Sequence, residues 1–157
     1  MSIFSRIFRR YPRYDVSAYR DLYTAIVARL TRTGVNVGGT AGYPRVEVHS
    51  IREQERLDKE GALRQINFTV ESMSDASLSE AVTMNEANLK LMSEYELEIT
   101  GWSSLGVIPV QLQDMTETTD SKKILYRLLQ ECSVILEETK SDTPPVTQES
   151  NENETTT

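Results

Sequence analysis

A strand, a tight connection and a helix can be read in one unbroken run from residue 62 to residue 92, ALRQINFTVESMSDASLSEAVTMNEANLKLM. Ile66, Phe68 and Val70 fall on one side of an extended chain, and Gln65, Asn67, Thr69 and Glu71 on the other. This period of two predicts a strand with one buried and one wet face. Ser74, Asp75, Ala76 and Ser77 supply residues that turn and cap. Ser77 with Glu80 fits a capping box, each side chain satisfying a backbone N–H freed at the helix start. Leu78, Ala81, Val82, Leu89 and Met92 then recur at helical spacing as an apolar stripe. The run predicts structure and carries no chemistry.

The rest of the chain adds elements around it. A first helix is predicted over residues 15–32, with Asp15 as N-cap and Gly34 as terminator. Its stripe is Val16, Tyr19, Leu22, Tyr23, Ile26, Val27 and Leu30. Residues 34–43 hold four of the seven glycines, but no lysine and no GxxxxGK[ST] pattern, so they read as a loop and not a phosphate cradle. A short strand is expected over 43–48, with Pro44 at its start. Residues 50–61 (SIREQERLDKEG) are nearly all charged and predict a solvated excursion or one exposed helical turn. Tyr95, Leu97 and Ile99 alternate with Glu94, Glu96 and Glu98, which fits a short strand or a loop end. Residues 107–112 read as a strand in which Pro109 favours an edge position, and residues 114–121 as a polar loop. Residues 122–136 fit a helical period better than strand alternation.

Function classes fall away on composition. At 157 residues the chain suits one domain with room for one core. The single cysteine, Cys132, excludes an intrachain disulfide and every multi-cysteine metal site, and its apolar surroundings predict a buried, inert thiol. The single histidine, His49, stands beside Glu47 and reads as a surface or a satisfied core residue. Glu94, Glu96 and Glu98 read as a solvated acidic face without EF-hand spacing. With no GxSxG, HExxH or P-loop pattern, neither an enzyme nor a cofactor is expected. No apolar run approaches the roughly 20 residues that cross a bilayer, and no signal-peptide core is visible, so a soluble intracellular chain is expected.

Charge is unevenly placed within the net −7. Residues 1–14 form a basic arm with Arg6, Arg9, Arg10 and Arg13, no acid, and the apolar Ile3, Phe4, Ile7 and Phe8. Three readings stay open for it: a mobile or partner-docked arm, a nucleic-acid contact through phosphate neutralisation, or a membrane-surface helix. Residues 139–157 read as a disordered acidic tail, leaving residues 15–138 as a single α+β domain.

The order of elements resembles the tail terminator and tail-completion (neck) proteins of tailed bacteriophages, the lambda-type terminator among them. The matching features are Tyr43-Pro44-Arg45-Val46-Glu47-Val48, the strand 65–71 leading into the helix 77–92, and the polar loop 114–120 before the last apolar segment. The likeness spans about residues 16–138 and rests on patterns of elements. In that family the final segment is a strand. Strand is therefore expected over 122–136 as well, because three short strands would cover two helices poorly. The expected fold is α+β, a small mixed or antiparallel sheet of about four strands packed by two helices.

The resemblance implies a virion subunit, assembled in the host cytoplasm. It would form a ring, commonly a hexamer, at the head–tail junction. Its partners would be its own copies, the tail tube and the head connector, and DNA would pass through without sequence-specific binding. No membrane would be involved. Arg52, Glu53, Glu55, Arg56, Asp58 and Lys59 are the candidate subunit interface, since they could meet either sign on a neighbour. The four arginines of the arm are candidates for a partner or DNA contact. The alternative is a small phage assembly chaperone or binding module acting through its basic arm or acidic tail.

Overall fold

Four buried side chains at a strict spacing of four, Ala18, Leu22, Ile26 and Leu30, define the inner face of the first helix, α1 (Val16–Thr31). In the computed structural model, residues 16–39, 42–57, 63–94 and 96–139 are described. Tyr23, counted above in the stripe, is exposed, and Ala18 takes the inner position instead. Gly34, at φ +76°, closes the helix in the left-handed conformation that suits glycine, its N–H donating to the Thr31 carbonyl at 3.1 Å.

Six strands follow in one mixed sheet: β1 (Asn36–Val37), β2 (Arg45–Arg56), β3 (Leu63–Ser74), β4 (Trp102–Asp114), β5 (Glu117–Thr118) and β6 (Ile124–Glu138). The spatial order is β1-β2-β3-β6-β4, with β5 pairing β6 beyond the end of β4. Only the β1–β2 pair is parallel. The second helix, α2 (Leu78–Glu94), joins β3 to β4 and packs with α1 on one face of the sheet. Two helices over four long strands is the α+β architecture expected.

The core lies between helices and sheet. Ile66, Phe68 and Val70 of β3 stand in register with Val134, Cys132 and Gln130 of β6, and Val48 of β2 lies opposite Val70. Phe68 is fully buried. Of residues 122–136, all from Ile124 onward are strand, as the sheet argument required and against their helical period. The reason is position: β6 lies between β3 and β4, so Cys132, Ser133 and Val134 are all buried and the inside–outside alternation is blurred.

Three expectations need correction. Residues 50–56 are neither a loop nor a helical turn but the second half of β2. Ser50, at φ +56°, sits in a bulge between His49 and Arg52 that breaks the period of two and turns Ile51 toward the core. Glu94, Glu96 and Glu98 share no strand: Glu94 ends α2, and the other two lie in the exposed connection to β4, beside the buried Leu97 and Ile99.

The third correction concerns α2. Its inner face is Ala81, Met84, Asn85, Asn88 and Met92, whereas Leu78 and Val82 are exposed. The helix covers a polar part of the sheet, where Asn88 donates to Ser72 Oγ at 3.2 Å and Asn85 to Gln130 Oε1 at 3.5 Å. Half of the capping box forms, the Glu80 N–H donating to Ser77 Oγ at 3.1 Å. The Glu80 carboxylate instead accepts from Ser74 Oγ at 2.8 Å. Ser77→Ala should therefore cost about 1 kcal/mol in chemical denaturation, the usual loss for a serine cap. At the other end of α2, whose last turn has no basic residue, the buried Arg29 of α1 donates to the carbonyls of Leu91 (3.0 Å) and Glu96 (2.7 Å).

Candidate assembly surface

The sheet face away from the helices carries polar side chains from β2, β3 and β6, tied into two clusters. At one end the buried Glu71 of β3 accepts from Arg127 Nε of β6 at 2.6 Å. Its second oxygen lies 2.8 Å from His49 Nε2 of β2. Arg127 also reaches Glu117 of β5 at 3.2 Å. Arg127 has its pKa raised, chiefly by the hydrogen bond to Glu71. His49 therefore helps to tie three strands, with Ser50 Oγ 2.8 Å from its other ring nitrogen, and Glu71 rather than Glu47 is its carboxylate partner.

At the other end Arg52 donates to Glu131 at 3.0 Å, and Asn67 donates to the same carboxylate oxygen at 3.3 Å. Between the clusters lies a shallow cavity of about 180 Å³ lined by Ser50, Arg52, Thr69, Gln111, Gln113, Leu129 and Glu131. Ser50 borders it with its hydroxyl 2.8 Å from His49 Nδ1, the ring whose Nε2 lies 2.8 Å from Glu71. Among the described residues no three histidine, cysteine or acidic side chains could hold a metal ion together. Burial pushes the Cys132 thiol up to about 12, so it should resist thiol reagents at neutral pH until the protein is denatured, as mass spectrometry of labelled samples would show.

The expected interface residues divide. Arg52 and Glu53 lie on opposite faces of β2, since Arg52 is opposite Asn67 and Glu53 opposite Ile66. Arg52 is held by Glu131 on the open face, and Glu53 accepts from the Tyr19 hydroxyl of α1 at 3.2 Å on the helix side. Glu55 and Arg56 end β2, opposite Gln65 and Arg64. Asp58 and Lys59, like Arg6, Arg9, Arg10 and Arg13, lie outside the described residues.

A second surface went unremarked as a site in the sequence. β4 is the last strand of the sheet, and among the described residues its outer edge is met only at its start, where Ile99 bridges to Trp102. Leu105, Ile108, Val110 and Leu112 are 61%, 61%, 54% and 52% exposed along it, in a strand without a single cation. The signal was present as nine uncharged residues, LGVIPVQLQ. Bulges between Ser104 and Val107 and between Pro109 and Gln111 spread these apolar side chains over both faces of the margin.

Comparison with known proteins places the fold. No family model matches the chain. No curated protein matches it either. Among solved structures, a chain of the virion of a native gene transfer agent particle superposes with a TM-score of 0.57 at 18% identity. The match covers 79% of this chain and 98% of that one. The two share a fold. No helix among the described residues is long and apolar enough to cross a membrane.

Proposed function

We propose that the chain is a structural virion protein that forms a ring at the head–tail junction of a phage-like particle, terminating or completing the tail and joining it to the head. The observation that carries this reading is the likeness to a virion chain, which takes in 98% of that chain. The order of elements that resembles tail terminators agrees with it. The work of such a subunit is geometric: edges and polar faces meet copies of themselves, the ring matches the tube, and binding ends polymerisation. A net charge of −7 suits a channel wall that must release passing DNA, because like charge lowers phosphate affinity. Residues 50–61 remain a proposed subunit contact, though Arg52 and Glu53 already serve the subunit's own packing. Reversing Glu55, Asp58 and Lys59 together therefore tests the contact with the least damage to the fold.

The test is made on particles. Mass spectrometry of purified virions should find the chain in a small, fixed copy number. Particles made without it should show unjoined heads and tails, or tails of uncontrolled length, by electron microscopy. A chain present during infection but missing from finished virions would overturn the reading and favour a chaperone.

A further inference from the structure

An apolar strand edge without a positive charge is an unusual thing for a lone subunit to expose. Edges are ordinarily blunted by lysines, covered, bulged or kept short, and β4 runs for 13 residues guarded by Pro109 and two bulges but by no cation. Acids frame the strip at both ends. Asp114 closes the strand, and its carboxyl is held below the usual range by the hydroxyl and N–H of Thr116. The exposed Glu137 and Glu138 of β6 stand opposite Ser103 and Trp102 at the other end. An occupant of this strip should therefore be apolar, with cations on either side. Within the chain that description fits one segment, residues 1–14, which combine Ile3, Phe4, Ile7 and Phe8 with four arginines and no acid.

We infer that the β4 edge of one copy is the seat of the N-terminal segment 1–14 of a neighbouring copy. The inference rests on the ring reading, and it names the contact that links one subunit to the next. Phe4, Ile7 and Phe8 cover Ile108, Val110 and Leu112, and the arginines meet Asp114, Glu137 and Glu138. The ring reading, in which copies meet edge to edge, selects a neighbour over the same copy. Near the start of α1, the Tyr19 hydroxyl meets Glu53, whose register runs through Ile66 and Val134 to Val107 of β4. The start of α1 thus lies level with the strip but three strand spacings away, about 14 Å. α2, packed on β3, β6 and β4, lies across the helix face between the two. Fourteen residues reach up to about 45–50 Å, enough to cross to an adjacent copy.

The experiment uses two full-length variants, Phe8→Cys and Val110→Cys, mixed and mildly oxidised. Cys132 does not compete, because its thiol is buried. A disulfide between the two can only join different chains. The expected result is a covalent dimer on mixing, formed about tenfold faster than from either variant alone, as a raised effective concentration requires. Glu137→Lys with Glu138→Lys should slow it at low salt while leaving the melting temperature in place. No faster dimer on mixing overturns the inference. So does an equal dimer from Val110→Cys alone, which would mean that two β4 edges meet. A monomeric disulfide in the Phe8→Cys/Val110→Cys double variant, without dimer, would place the arm on its own subunit and also overturn it. These outcomes separate from the ring reading. Rings in particles made with a chain lacking residues 2–14 would leave the ring standing without the arm contact. Crosslinking by a chain that is absent from virions would do the reverse.

Discussion

Phe68→Ala is expected to lower the free energy of unfolding by about 3–5 kcal/mol, the range for removing a buried aromatic from a packed core. Phe68 is fully buried at the middle of β3, opposite Cys132 on β6 and flanked on its own face by Ile66 and Val70. Both helices lie over this face, so the space left by the ring has no short route to collapse. Urea denaturation followed by far-UV circular dichroism measures the loss. Phe68→Leu should recover more than half of it. A cost below about 1 kcal/mol for the alanine variant would mean that the side chain is not in the core.

Arg127→Met should cost about 3 kcal/mol for a different reason. Glu71 is buried on the open face of the sheet, and Arg127 gives it a charged hydrogen bond at 2.6 Å. Without the guanidinium, the carboxylate keeps His49 and loses its stronger partner. Removing both charges together, in Glu71→Leu/Arg127→Met, should cost less than the sum of the single changes by more than about 1 kcal/mol. Additive costs in that double-mutant cycle would show that the two side chains act independently.

The sequence displayed the fold unevenly, and the physical reasons differ from element to element. β3 was plain because its two faces meet different surroundings, a core on one side and a polar face on the other. β6 was ambiguous because a central strand has little contrast between its faces. β2 looks short in the sequence because the bulge at Ser50 shifts the alternation by one residue, leaving the charges that follow to look like a loop. α2 misled in the opposite sense. Its buried Asn85 and Asn88 look like surface residues until Gln130 and Ser72 are brought beneath them from distant strands. Of the candidate interface, the charge of residues 52–59 was legible, but the commitment of Arg52 to Glu131 depends on a contact 79 residues apart in sequence. The β4 edge was the clearer signal: nine uncharged residues with a proline need no partner to be seen.

The strand that enters last along the chain, β6, occupies an interior place in the sheet, between β3 and β4. During synthesis the sheet therefore cannot close until residues 124–138 have left the ribosome. Before that moment β3 shows an open inner edge, and β4 has no strand to hold it at all. Each pairing of β6 with β3 closes a loop of some fifty to seventy residues, which makes the final step slow compared with forming the β2–β3 hairpin. The nascent chain thus passes through a stage with unpaired strand edges exposed, the kind of species that aggregates when many copies are made at once. Low expression shelters such a chain from that hazard, and strong overexpression removes the shelter.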